Sequence, residues 1–157
     1  MADIEKWVGG SLAGLSWDSA IGATDLDSVT NTTVKASTTP LDNSSTLDLY
    51  ADLSISLGSV TTGAGTPYLA IYLAPLNQDG TTYGDGVGSG TTAPAATYFV
   101  GNIMVPPSTT AVITGTLRGI VLPPGQFRFV FQNVLGVTLA ASANVVKYRT
   151  YNLTNNG

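Results

Sequence analysis

The chain is predicted to be all-β, an antiparallel two-layer β-sandwich of jelly-roll-like form with an extended N-terminal arm. Three observations predict it. Only 10% of the 157 residues are charged while 22 are threonine and 18 glycine, a mixture poor for helices and suited to strands joined by tight turns. Several stretches alternate apolar and polar residues with the strand period of two. No stretch after residue 25 carries a helical apolar stripe. With 43% hydrophobic residues the chain has enough apolar area to fold.

The first 46 residues are rich in Gly, Ser, Thr and Asp, with Trp7 and Trp17 as isolated aromatics. We read 1–27 as an arm and 28–157 as the sandwich, with a first strand-like stretch at SVTNTTVKAST, residues 28–38. The clearest strand follows: Leu47, Leu49, Ala51, Leu53, Ile55 and Leu57 are apolar at every odd position, and Asp48, Tyr50, Asp52, Ser54 and Ser56 fill the even ones. That pattern predicts one buried and one wet face. The period recurs at Leu69, Ile71 and Leu73, at Ala111, Ile113, Leu117 and Val121, and at Phe127, Phe129 and Phe131, and a further strand is expected near 98–105. A last strand, 144–151, sets Lys147 and Arg149 on one face. Between Val121 and Phe127, Pro124 and Gly125 suit a type II turn and predict a hairpin over 111–131.

The chain has no histidine and no cysteine, which removes Ser/His/Asp and Cys/His catalysis, the usual zinc and copper sites, and disulfides. No serine stands three residues before Lys6, Lys35 or Lys147, so the Ser-x-x-Lys pattern is absent too. Carboxylates are what is left for chemistry. Asp48 and Asp52 would stand roughly 13 Å apart on one strand, too far for a glycosidase pair. Asp25 and Asp27 would be roughly 7 Å apart, without the apolar surroundings that raise one pKa. Asn77, Asp79 and Asp85 lie among glycines like ligands of a calcium loop. Aligning Gly80 with the glycine of an EF-hand puts Pro75 and Gly86 at the first and last ligand positions, where neither serves. The 77–92 stretch therefore reads as a long surface loop with Asp-Gly turns, and the chain is expected to be no enzyme, with no catalytic residue, cofactor or metal.

All ten acids lie between Asp3 and Asp85, with two lysines, giving 2 − 10 = −8; from residue 86 onward Arg118, Arg128, Lys147 and Arg149 give +4. Either the halves interleave in one sheet and compensate, or partners meet acid to base. Four scattered cations make a poor phosphate footprint, so no nucleic acid is expected. No membrane span is expected, and an acidic start predicts use without export.

The run LDLYADLSISLGSVTTGAGTPYLAIYLAPLNQDGTTYGDG, then ITGTLRGIVLPPGQFRFVFQNVLGVTLAASANVVKYRTYN, resembles the capsid decoration (cement) proteins of tailed bacteriophages over about residues 40–152. LPPGQFRFVF and LAASANVVKYRTYN are its most specific pieces. The resemblance implies a virion protein made in the bacterial host cytoplasm that binds the capsid exterior. Its implied partners are the major capsid protein and copies of itself, as a dimer or trimer. Trp7, Trp17, Arg128, Lys147 and Arg149 are then the expected contact residues, the three cations on one wet face. Two other classes stay open, a tail- or fibre-associated receptor- or glycan-binding module and a carboxylate-dependent glycan hydrolase.

Overall fold

A computed structural model describes residues 4–10, 17–84 and 93–156, without the side chains of 4–7, 19 and 154–156. Ten strands follow in order: β1 Ile4–Gly9, β2 Asp18–Ser19, β3 Val34–Ala36, β4 Leu41–Asp42, β5 Tyr50–Thr61, β6 Tyr68–Pro75, β7 Phe99–Met104, β8 Thr110–Val121, β9 Gln126–Val134 and β10 Val145–Asn156. One short 3-10 turn, Ala96–Tyr98, leads into β7. The first sheet runs β1-β10-β5-β8, with β2 also on β10; the second runs β3-β9-β6-β7, with β4 also on β9. Every pairing is antiparallel. The chain changes sheet at every connection except β1–β2, β3–β4 and β6–β7, and among the described strands β6–β7 alone pair as sequence neighbours. Two sheets woven in this order form a jelly roll, as the sequence predicts.

The core lies between the sheets and is built by the alternating positions. Ala51, Leu53, Ile55 and Leu57 of β5 meet Leu69 and Ile71 of β6 and Phe127, Phe129 and Phe131 of β9, all at most 1% exposed. Phe127 and Phe129 pack edge to face, with ring centres 5.6 Å apart. Three buried asparagines tie loops to this core. Asn43 donates to the carbonyls of Asp48 and Pro123, Asn133 to those of Val29 and Val137, and Asn144 to Ala140 O and Asp27 Oδ1.

Four expectations are corrected. First, 111–131 is no hairpin: β8 pairs with β5 and β9 with β6, so 122–125 carries the chain from one sheet to the other. Gly125 lacks the positive φ of a type II turn. Second, β8 loses its simple alternation. Ala51 pairs with Ile120 but Leu53 with Leu117, so β8 holds one extra residue opposite Asp52, and Gly119 takes φ +69° there. The bulge turns Ile120 inward and leaves Val121 70% exposed. Third, the segment before residue 28 is extended but is part of the sandwich. β1 pairs along β10 from Ile4↔Asn156 to Gly9↔Tyr151, and Ala20, Ile21 and Leu26 are core residues, so the sandwich begins before residue 28. Fourth, Asp48 and Asp52 are 1% and 3% exposed instead of wet.

Candidate functional site

The two outer faces of the sandwich differ. On the second sheet, the outward residues Ala70, Tyr72 and Ala74 of β6 join Val34 and Val130 in an apolar cluster, against which Tyr83, Ala93 and Tyr98 pack. The described parts of the chain between β6 and β7, 76–84 and 93–98, thus fold back over their own sheet. Gly84 permits the closest approach, since a Cβ there would sit 2.8 Å from the Tyr98 ring. At the start of this excursion Leu76 bridges to Tyr83 and Asn77 N–H donates to Thr82 O. Asp79 Oδ1 accepts from the N–H groups of Thr81 and Thr82, and the Thr82 hydroxyl donates to Oδ2. The Thr82 hydroxyl and these amides hold the Asp79 carboxyl down to about 2. Asp79 is therefore occupied by its own turn, as the turn reading predicts, while Asp85 and 85–92 lie outside the described residues. Among the described residues no three or more carboxylates gather as metal ligands.

The outer face of the first sheet carries no such cover among the described residues. Register lays its side chains out in rows: Lys147, Ser54 and Thr116 stand side by side across β10, β5 and β8, and Val145, Ser56 and Thr114 form the next row. Thr114, Thr116, Arg118 and Lys147 are exposed, as are Val112 at 57% and Val145 at 43%. The result is a surface of short hydroxyl and valine side chains with two exposed cations.

At one end of this face Asp52 organises a polar cluster. Its Oδ2 accepts from Nε and Nη2 of Arg149 at 3.0 and 2.8 Å. Its Oδ1 accepts from Gly119 N–H at 3.1 Å and the Tyr151 hydroxyl at 3.0 Å. The bulge explains the Gly119 bond, because the extra residue frees an amide that Asp52 then receives. Burial works to raise the Asp52 carboxyl, and the bonds from Arg149, Gly119 and Tyr151 outweigh it and lower the pKa. Tyr151 moves the opposite way, pushed up by burial and by the Asp52 charge. Arg149 also lies over the Trp17 ring at 4.9 Å, and Tyr151 stacks on Tyr50 at 5.7 Å.

The structure brings Trp17, Lys147 and Arg149 to this face. It does not bring Arg128 there: Arg128 projects from β9 on the opposite outer face, over Tyr83 at 4.4 Å, because β9 belongs to the second sheet. Periodicity assigns a side chain to one side of a strand, not a strand to a sheet. The Trp7 backbone pairs with Leu153, and its side chain lies outside the described residues. The acidic and basic halves of the chain interleave at Asp52 and Arg149. Asp25 Oδ2 accepts from Gly22 N–H and Thr38 N–H, and Asp27 from Asn144, so each serves a turn. Sequence reasoning missed Gly119 and Tyr151 as partners of Asp52; the glycine inside a strand pattern was the available signal for the bulge.

The fold and this face together define a jelly-roll sandwich whose second sheet is covered by its own chain and whose first sheet has a bare outer face among the described residues. Compared with known proteins, the chain matches no protein-family model and no curated sequence.

Proposed function

We propose that the chain is a structural virion protein that docks the outer face of its first sheet on the exterior of a tailed-phage capsid, bridging neighbouring major capsid subunits, and that it does so as a homo-oligomer. The observation that carries this reading is the asymmetry of the two faces: the second sheet is covered by Tyr83, Ala93 and Tyr98 of its own chain, and the first, among the described residues, is bare along Val145, Lys147, Thr114, Thr116 and Arg118. A capsid clamp needs repeated contact area, which a flat face of donors, acceptors and small apolar groups supplies. Jelly rolls serve capsids, lectins and enzymes alike, so the fold by itself does not choose. The resemblance over residues 40–152 supplies the partner. The reading calls on no cofactor, nucleic acid or membrane.

The test is cosedimentation of the purified protein with tailed-phage heads that lack it, followed by counting bound copies. The reading expects saturation at hundreds of copies per head. Binding of only a few to a dozen copies, confined to particles with tails, favours the tail- or fibre-associated module, and no binding removes both.

A further inference from the structure

β8 is the end strand of the first sheet, twelve residues long, and its outward backbone groups can be assigned. Alternate residues of a strand turn N–H and C=O to the same side. Thr62 N–H donates to Thr109 O at 3.1 Å, which fixes Thr109 as facing β5. Counting along the unbulged part of β8, residues 111, 113, 115 and 117 also face β5. Thr110, Val112, Thr114 and Thr116 then present their N–H and C=O groups away from the sheet. The bond from Leu122 N–H to Leu49 O at the other end gives the same assignment once the extra residue at the bulge is counted. All four side chains are exposed, and no described strand pairs on that side.

We propose that this edge pairs antiparallel with β8 of a second copy about a twofold axis at Thr114, joining two first sheets into one continuous sheet; the proposal rests on the homo-oligomer part of the function above and names its interface. The free run spans 110–118, between Thr109 and the bulge at Gly119, and its midpoint is Thr114. Pairing the whole run sets Thr114 opposite itself, Val112 opposite Thr116 of the copy, and Thr110 opposite Arg118 of the copy. Charge permits this register: Arg118 is the one charged residue of β8, and it meets a neutral threonine instead of its own copy. Between Thr110 and Leu117 the run holds no proline, no lysine and no inward charge; the devices that blunt an edge, Arg118 and the bulge at Gly119, stand only at its far end. Threonine opposite threonine is a contact this chain already makes, at Thr61 and Thr110 with hydroxyls 2.5 Å apart. A groove beside the run, lined by Met104, Val105, Pro106 and Val112, leaves Met104 and Val112 each 57% exposed for the copy to cover. The joined sheet would present two bare faces side by side about the axis.

Light scattering after gel filtration tests the proposal. The wild-type chain should run at twice its 16.1 kDa mass. Thr114→Pro removes one outward N–H and no bond to β5, so the variant should keep its circular dichroism and cooperative melt yet run as a monomer. Thr114→Lys and Thr114→Glu should each be monomeric, and an equimolar mixture should restore the dimer, because the axis sets lysine opposite glutamate. A monomeric wild type overturns both the proposal and the homo-oligomer reading. A folded Thr114→Pro dimer overturns this interface and leaves the homo-oligomer standing. Should Thr114→Pro fail to fold, the lysine and glutamate variants decide alone: dimers of either one, or no dimer in the mixture, overturn the axis.

Discussion

Asp52 and Arg149, 97 residues apart in sequence, meet through two hydrogen bonds to a single carboxylate oxygen, one from Nε and one from Nη2. Asp52 is nearly buried, whereas the Arg149 side chain is 31% exposed, so the pair draws more on its geometry and its two further donors than on bare charge. Replacing Asp52 by Asn keeps the shape and removes the charge and part of the acceptor capacity facing four donors. Asp52→Asn should lose about 1.5–3 kcal/mol of stability, the range for hydrogen bonds to a charged group, read from the urea midpoint at unchanged slope.

The same residue sets an acid limit. Its folded pKa lies below the ordinary 3.8, so the folded state binds the proton less readily than the unfolded chain. The stability it contributes is fully present above that ordinary value and is lost as pH falls toward the folded pKa. Unfolding free energy of the wild type should therefore drop below about pH 3.8, and Asp52→Asn should flatten part of that drop. A variant whose acid slope equals that of the wild type would show that other carboxylates carry it.

Arg128 offers a test of sign. Its Nε is buried and has no hydrogen-bond partner among the described residues, while its guanidinium stacks on Tyr83. An unmade buried bond costs about 1–3 kcal/mol, against about 0.5–1 kcal/mol from the stacking at a partly exposed site. Arg128→Met should thus leave the melting temperature unchanged or raise it. A clear fall would mean that Arg128 is a needed part of the cover on the second sheet.

Gly58 sits in the β5 bulge opposite β8, where an added Cβ would lie 2.5 Å from the Ser142 carbonyl oxygen and 2.6 Å from Ala140 Cβ. A backbone oxygen cannot rotate away as a side chain does. Gly58→Ala should cost about 1–3 kcal/mol through overpacking, measured by chemical denaturation.

Much of this architecture was legible in the sequence, and the failures have physical causes. The odd positions of β5 and the three phenylalanines of β9 announced their inward faces because strands alternate strictly. The alternation at Leu69, Ile71 and Leu73 predicts a half-buried β6, although Leu69 to Ala74 is one unbroken apolar run, the signature of a strand covered on both sides. Asp48 and Asp52 were placed in water because a lone carboxylate prefers it. Their burial depends on Asn152 and on Arg149, Tyr151 and Gly119, partners roughly 70 to 100 residues distant that no local pattern reveals. Of the expected contact residues, Lys147 and Arg149 shared a face because they share a strand. Arg128 was misplaced because sheet membership is decided by crossovers, and LPPGQ gives the same local signal for a hairpin as for a crossing between sheets.

Reconstruction of heads saturated with the protein tests the proposed role of the outer face of the first sheet as the capsid-binding surface. Lys147, Val145, Thr116 and Arg118 should be buried against capsid subunits, with Tyr83 and the 76–84 turn pointing to solvent. Density placing Tyr83 and that turn against the capsid, with Lys147 and Thr116 facing outward, would contradict it.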